Sequence, residues 1–271
     1  MIIPLKAYFK RIEYQGNSDS TSQTLIDIHR QQCFHIPFDV LDPHLGIPPS
    51  LEPKYIFEKL INHKRGGSCS QINELLALAL TEIGFKVERL MARVLYELPK
   101  NKVPTFSHKV LLVEFANQKW LCDTGFGSNG LIDPIPFVLD KAFYQFNAMF
   151  MLVKDEKYGF KLQTKSENDW IDLYAFNLTT YLPEDFNAMH FYNFCNPDMV
   201  FVKYAIVTMP FVQGRKILKD RTYKEQTQEK TLTIEIETAE QYHEILKQKF
   251  NIELPEHPSF FPGKSKNSDS E

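Results

Sequence analysis

The chain has no stretch approaching the ~18 consecutive apolar residues of a membrane-spanning helix. Its opening, MIIPLKAYFKRIEYQG, carries Lys6, Lys10 and Arg11 where a signal peptide would have an apolar core, so no secretory leader and no membrane segment are expected. Charge of one sign is also missing. The 31 Lys and Arg face 34 Asp and Glu, a formal charge of −3, which leaves no electrostatic footprint for nucleic acid or an anionic membrane. Cysteines are few and scattered. Cys33, Cys69, Cys122 and Cys195 form no C-x-x-C pair, so neither a zinc site nor a disulfide framework is suggested, and a reduced, cytoplasmic protein is expected. There is no internal repeat.

What remains is an ordinary globular composition, 43% hydrophobic and 24% charged. At 271 residues the chain suffices for one large domain or two to three lobes. The 22 Phe and 12 Tyr are open to two readings, core filling or an aromatic-lined pocket.

Residues 1–85 read as mostly helical. Ser20, Thr21 and Ser22 are candidate caps before a helix with Leu25, Ile28 and His29 on one face. A second helix starts at Pro53. A third follows Cys69, with Ile72, Leu75, Leu76, Ala79, Leu80 and Ile83 in a stripe and Gly84 as its C-cap. From residue 86 the period changes to two, and 87–98, 108–115 and 119–126 read as strands. Residues 170–207 are aromatic-rich and mixed. A strand-like KTLTIEIE, a helix AEQYHEILKQKF and a polar tail expected to be disordered close the chain. Helices segregated from strands argue for an α+β fold.

One short segment stands out chemically. In Arg65-Gly66-Gly67-Ser68-Cys69 a thiol sits where a glycine turn hands over to a helix. The helix dipole lowers a thiol's pKa at that position. A small buried thiol beside a plain turn fits the same residues. A nucleophilic cysteine also needs a base and a group to orient it. His108 opens the strand SHKVLLVEF. A two-residue turn at Ala116-Asn117 pairs Glu114 with Lys119, Leu112 with Leu121 and Val110 with Asp123. His108 and Asp123 then share a face. Cys122 points to the other face, and Cys33 and Cys195 have no such neighbours. The glycines of TGFGSNG, 124–130, are open to two readings, a plain loop or a nest whose backbone N–H groups cradle a phosphate.

These segments resemble the arylamine N-acetyltransferases. The nucleophile motif of that family, R-G-G-x-C-x-E-x-N, is matched by residues 65–73, the histidine strand by SHKVLLVEF and the D-x-G-F-G motif by residues 123–127. HIPFDVLD (35–42), NPDMVF (196–201), Gly214-Arg215 and LKQKFNIEL extend the likeness along nearly the whole chain. The resemblance implies three lobes with a papain-like Cys-His-Asp core: a helical bundle (1–85), a β-barrel (86–195) and an α/β lid (196–271) with its tail from about 262. It implies ping-pong transfer of acetyl from acetyl-CoA, through a thioester on Cys69, to an arylamine, arylhydrazine or N-hydroxyarylamine. His108 would be the base and acid, and Asp123 the orienting carboxylate. Phe38, Val94 and Phe126 would line the acceptor pocket, and Phe126, Gly127, Ser128 and Gly130 would lie along CoA; no metal is implied. Such chemistry serves xenobiotic metabolism or biosynthesis. An amide synthase of the same family, a thiol hydrolase or transglutaminase-like enzyme, and a non-catalytic binding protein are the alternatives. Three departures stand out: Gln71 replaces the motif glutamate, Ser70 a common aromatic, and Asp39-Val40 the usual Glu-Asn.

Overall fold

The helical periodicity of the first 85 residues produces α1 (Leu5–Arg11), α2 (Ser22–His35), α3 (Pro53–Phe57) and α4 (Cys69–Ile83), with a two-residue strand β1 (Phe38–Asp39) between the second and third. These are the first elements of a computed structural model that describes residues 3–99, 101–127, 129–167 and 169–263. Of the three candidate caps for α2, Thr21 does the capping: its Oγ1 accepts the Thr24 N–H at 3.1 Å. α3 starts on Pro53, where a missing N–H costs nothing, and runs on into a π-helical turn, Glu58–Asn62. α4 ends at Gly84, which adopts φ +106°. Its stripe residues Ile72, Leu75, Leu76, Ala79 and Leu80 are fully buried, so α4 is the axis of the first core.

The period-two segment folds into β2 (Lys86–Val94), β3 (Phe106–Phe115), β4 (Gln118–Cys122), β5 (Ile135–Pro136), β6 (Ala142–Gln145), β7 (Ala148–Asp155), β8 (Gly159–Lys165) and β9 (Trp170–Phe176). They form one antiparallel sheet, ordered β5-β4-β3-β2-β9-β8-β7-β6. Leu121 and Ile135 at one end share a core with Phe150 and Leu152 near the other. A flat sheet would hold those strands far apart; the sheet therefore curls into a nearly closed barrel around that core. Ala116 and Asn117 both take positive φ, 48° and 62°, as a two-residue hairpin turn requires. The pairs Glu114–Lys119 and Leu112–Leu121 form as expected.

Two strands stop earlier than their alternation suggests. β2 ends at Val94, and β4 at Cys122 instead of running to Phe126. The reason at β4 is visible in the hydrogen bonds. The N–H groups of Asp123, Thr124 and Gly125 are taken by His29 Nε2, Asn73 Oδ1 and Asp123 Oδ1, so no ladder continues.

The remaining elements are α5 (Phe186–Cys195), α6 (Val200–Lys203), β10 (Ile206–Phe211), β11 (Gly214–Lys219), β12 (Thr222–Thr227), β13 (Thr231–Glu235) and α7 (Ala239–Phe250). The second sheet, β1-β10-β11-β12-β13, borrows its first strand from the N-terminal segment. α7 packs on it through Tyr242, Leu246 and Phe250, while α5 sends Phe186, Met189 and Phe194 into the first core. Together these give the mixed architecture of helices, barrel and α/β layer. From residue 264 the expected disordered tail lies outside the described residues. No described helix is long and apolar enough to cross a membrane.

The glycine turn before α4 is where segments press closest. A Cβ on Gly66 would lie 2.3 Å from the Pro37 carbonyl oxygen and 2.5 Å from Asp39 Cβ. Gly66→Ala should therefore cost about 1–3 kcal/mol of stability. Urea unfolding reads this as a lower midpoint, and an unchanged midpoint would contradict the close approach.

Candidate active site

Cys69 is the first residue of α4, one position after the N-cap Ser68. A capping box closes the turn: Gln71 N–H donates to Ser68 Oγ at 3.4 Å, and Ser68 N–H donates to Gln71 Oε1 at 3.2 Å. Gln71 Oε1 also accepts from Lys59 Nζ at 3.2 Å, while Gln71 Nε2 donates to the Ser50 carbonyl at 3.1 Å. A glutamate here would keep the two acceptor contacts and lose the donated one. The surrounding charges are already balanced. Lys59 pairs with Asp42, and Arg65 bonds Asp39 at 2.9 Å and Asp42 at 3.1 Å, all four buried. A carboxylate at position 71 would leave this cluster with a net negative charge beneath the thiol.

Cys69 is 3% exposed, and its thiol faces the barrel beside His108, with the Ser107 carbonyl 3.8 Å from Sγ. His108, near the start of β3, bonds Asp123 through Nε2···Oδ2 at 2.7 Å, which leaves Nδ1 for Cys69. Asp123 sits just past the end of β4, with its Oδ1 accepting from Asn73 Nδ2 at 2.9 Å and from Gly125 N–H at 3.0 Å. Gly125 is close enough to the nucleophile that a Cβ there would lie 2.8 Å from Cys69 Cα. The structure thus brings Cys69, His108 and Asp123 into one buried cluster.

The electrostatics run in one direction. Burial pushes the Cys69 thiol up, but the hydrogen bond and charge of His108 outweigh it and the net shift is downward from the ordinary thiol value. Burial pushes His108 down, and Asp123 overcomes this, raising it to about 10. Burial also raises Asp123, yet His108, Asn73 and the Gly125 N–H hold it below the ordinary carboxylate range. All three shifts favour a carboxylate, an imidazolium and a thiolate.

Several supporting residues escaped the sequence reading. Asn73 also donates to the Lys109 carbonyl at 2.6 Å and accepts from Thr124. It lies one helical turn after Cys69, so its placement on the same face was a signal available in the spacing. His29 donates from Nδ1 to the Ile132 carbonyl and accepts the Asp123 N–H on Nε2, which fixes it as a neutral ring. Gln32 donates to Thr124 Oγ1 and the Ile72 carbonyl and accepts from Tyr8. Glu74 bonds Arg89 at 2.8 Å and Lys109 at 2.9 Å, which locks α4 to β2 and β3 beside His108. His29, Gln32 and Glu74 meet partners far away in sequence, and no local pattern announces them.

A cleft of about 1200 Å³ opens onto Cys69 and His108. Phe38, Val94, Phe126, Gly127 and Gly130 all line it; Ser128 lies outside the described residues. The Phe126 ring meets His108 edge-on at 5.3 Å, and Phe38 packs against Phe201 at 5.7 Å. The loop's glycines do not all present free N–H groups, since Gly125 N–H is held by Asp123. Of the other cysteines, Cys33 and Cys122 are buried and burial pushes both thiols up, while Cys195 is exposed.

A family model described as N-acetyltransferase matches residues 21–258. An arylamine N-acetyltransferase of Mycobacterium tuberculosis is 34% identical over 206 residues, 74% of this chain and 72% of that protein. Arylamine N-acetyltransferase 1 of Homo sapiens is 29% identical over 278 residues, covering 92% of this chain and 94% of its own length. The solved structure of the arylamine N-acetyltransferase of Mycobacterium marinum in complex with CoA superposes with a TM-score of 0.86 at 28% identity, over 92% of each chain. The chain belongs to the arylamine N-acetyltransferase family, whose members are acyltransferases.

The thiolate–imidazolium pair has a kinetic signature. The rate at which Cys69 reacts with iodoacetamide should rise at a lower pH than that of an ordinary thiol. In His108→Gln the rise should move to higher pH, following a buried thiol whose pKa is no longer lowered. Equal profiles for the two proteins would show that His108 does not govern the thiol.

Proposed function

We propose that the chain transfers an acetyl group from acetyl-CoA to the nitrogen of an arylamine, arylhydrazine or N-hydroxyarylamine, through a thioester on Cys69. The observation that carries this reading is the buried Cys69–His108–Asp123 cluster at the floor of an aromatic-lined cleft. In the first half-reaction the Cys69 thiolate attacks the acetyl carbonyl carbon. The bond to the CoA sulfur breaks, and the His108 imidazolium returns a proton to that sulfur. In the second, the acceptor nitrogen attacks the Cys69 thioester. His108 takes the nitrogen's proton and Cys69 leaves as thiolate, so the enzyme ends in its starting protonation state. Asp123 holds the ring in the tautomer and orientation both steps need.

Exchange between two thioesters is nearly isoenergetic, so the first step needs little beyond a competent nucleophile. The second must favour an amine over water. Phe38, Val94 and Phe126 in the cleft supply an apolar wall suited to an aromatic acceptor. Lys102, Lys165 and Lys219 also line the cleft, which suits a donor that carries phosphates. The four cysteines are free thiols, in keeping with a reducing, cytoplasmic setting.

Intact-protein mass spectrometry after mixing with acetyl-CoA alone should give one added acetyl group, mapped to Cys69 and absent from Cys69→Ala. Addition of an arylamine should discharge it as the N-acetyl product. An unmodified wild-type protein, or acetyl on another residue, would overturn the reading. Asp123→Asn should fold and slow acetylation by on the order of 10³-fold or more.

A further inference from the structure

Three guanidinium groups in this chain meet a carboxylate. Arg30 bonds Asp133, Arg65 bonds Asp39 and Asp42, and Arg89 bonds Glu74. Arg11 and Arg215 do not: Arg11 donates to the backbone carbonyls of His35, Leu60 and Lys64, away from the cleft, whereas Arg215, on β11, faces it. It lines the cleft, and among the described residues its hydrogen bonds run only from Nη1, to the Gly127 carbonyl and to Thr208 Oγ1 at 3.1 Å. No described Asp or Glu lies within ion-pair distance of it. Burial pushes its pKa down to about 10, which leaves it charged at neutral pH. A guanidinium removed from water with no anion costs stability unless a ligand supplies the missing charge.

Its neighbours place it relative to the thiol. Gly127 follows Phe126, whose ring meets His108. Thr208 pairs across the sheet with Phe38. Arg215 is therefore tied, through Gly127 and Thr208, to the segments that carry Phe126 and Phe38. With Nη1 committed to the loop, the Nε and Nη2 edge is the one that matches two oxygens side-on.

We propose that Arg215 is an anion-binding residue of this cleft, holding the carboxylate of an aromatic acceptor or a phosphate of the donor through that edge. This rests on the acetyltransferase reading above for the identity of its ligands. The anion is a group the substrate brings with it, on a part that does not react. The residue thus contributes to selection among substrates and not to the transfer step.

The test compares wild type, Arg215→Gln and Arg215→Lys, each first checked by thermal melting and for Cys69 acetylation by intact mass. Two ratios of kcat/KM are measured: 4-aminobenzoate over neutral 4-aminobenzamide with acetyl-CoA, and acetyl-CoA over phosphate-free S-acetylpantetheine with 4-aminobenzamide. Calorimetric titration of donor-free protein with 4-aminobenzoate gives a turnover-independent reading. A fall of roughly 10–100-fold in the first ratio in Arg215→Gln, partly restored in Arg215→Lys, assigns the acceptor carboxylate. The same fall in the second ratio assigns a donor phosphate. Unchanged ratios and unchanged 4-aminobenzoate affinity, in variants that fold and acetylate, overturn the proposal. A wild-type protein without acetylation fails the functional reading instead, and the titration still decides whether Arg215 holds a carboxylate.

Discussion

Four hydrogen bonds on one side chain hold the site together. Asn73 donates to the Lys109 carbonyl and to Asp123, and accepts from the N–H and the hydroxyl of Thr124. Its amide is thereby filled, and it links the helix of Cys69, the strand of His108 and the loop of Asp123. Each segment alone would hold its functional side chain in a range of positions. Tied to one rigid amide one turn below the thiol, they have a single arrangement. Removing the amide would leave a buried carboxylate and a buried carbonyl each short of a partner, a far larger penalty than the net worth of any one bond.

Much of the site was legible in the sequence because two of its determinants are local. The turn at Ala116-Asn117 fixes a register, and a register fixes which residues share a face. The glycine turn and the apolar stripe likewise placed Cys69 at a helix start. Strand ends were less legible. Asp123, Thr124 and Gly125 continue a plausible alternation, but side chains from distant helices claim their N–H groups and end the ladder at Cys122. His29, Gln32 and Glu74 look like ordinary polar positions on amphipathic helices. Only the packing of helix against barrel turns them inward, and that packing has no period to read.

Gln71 illustrates how one substitution is absorbed. The resembled motif carries glutamate there, and the amide keeps the capping role while adding a bond to Ser50. Two cations and two carboxylates lie around it, and their balance is complete without a further charge. A neutral residue at this position thus keeps negative potential away from a thiol that must ionise. Asp39, another departure from the motif, is one of the two carboxylates in that balance, so the two changes belong to the same cluster.

The 2.8 Å approach at Gly125 has a temporal consequence. The thiol's activating partners arrive from segments synthesised about forty and fifty residues later, so a nascent or partly opened chain carries a thiol near its free pKa, ~8.5. Any opening that separates the Asp123 loop from the start of α4 exposes the sulfur to solvent and removes its imidazolium in the same movement. Loss of the fold and loss of the thiol's activation thus coincide, and in the folded protein only what fits the cleft reaches the sulfur. The nucleophile is activated only where the cleft selects what reaches it, and the chain needs no separate device to quiet the thiol while it folds.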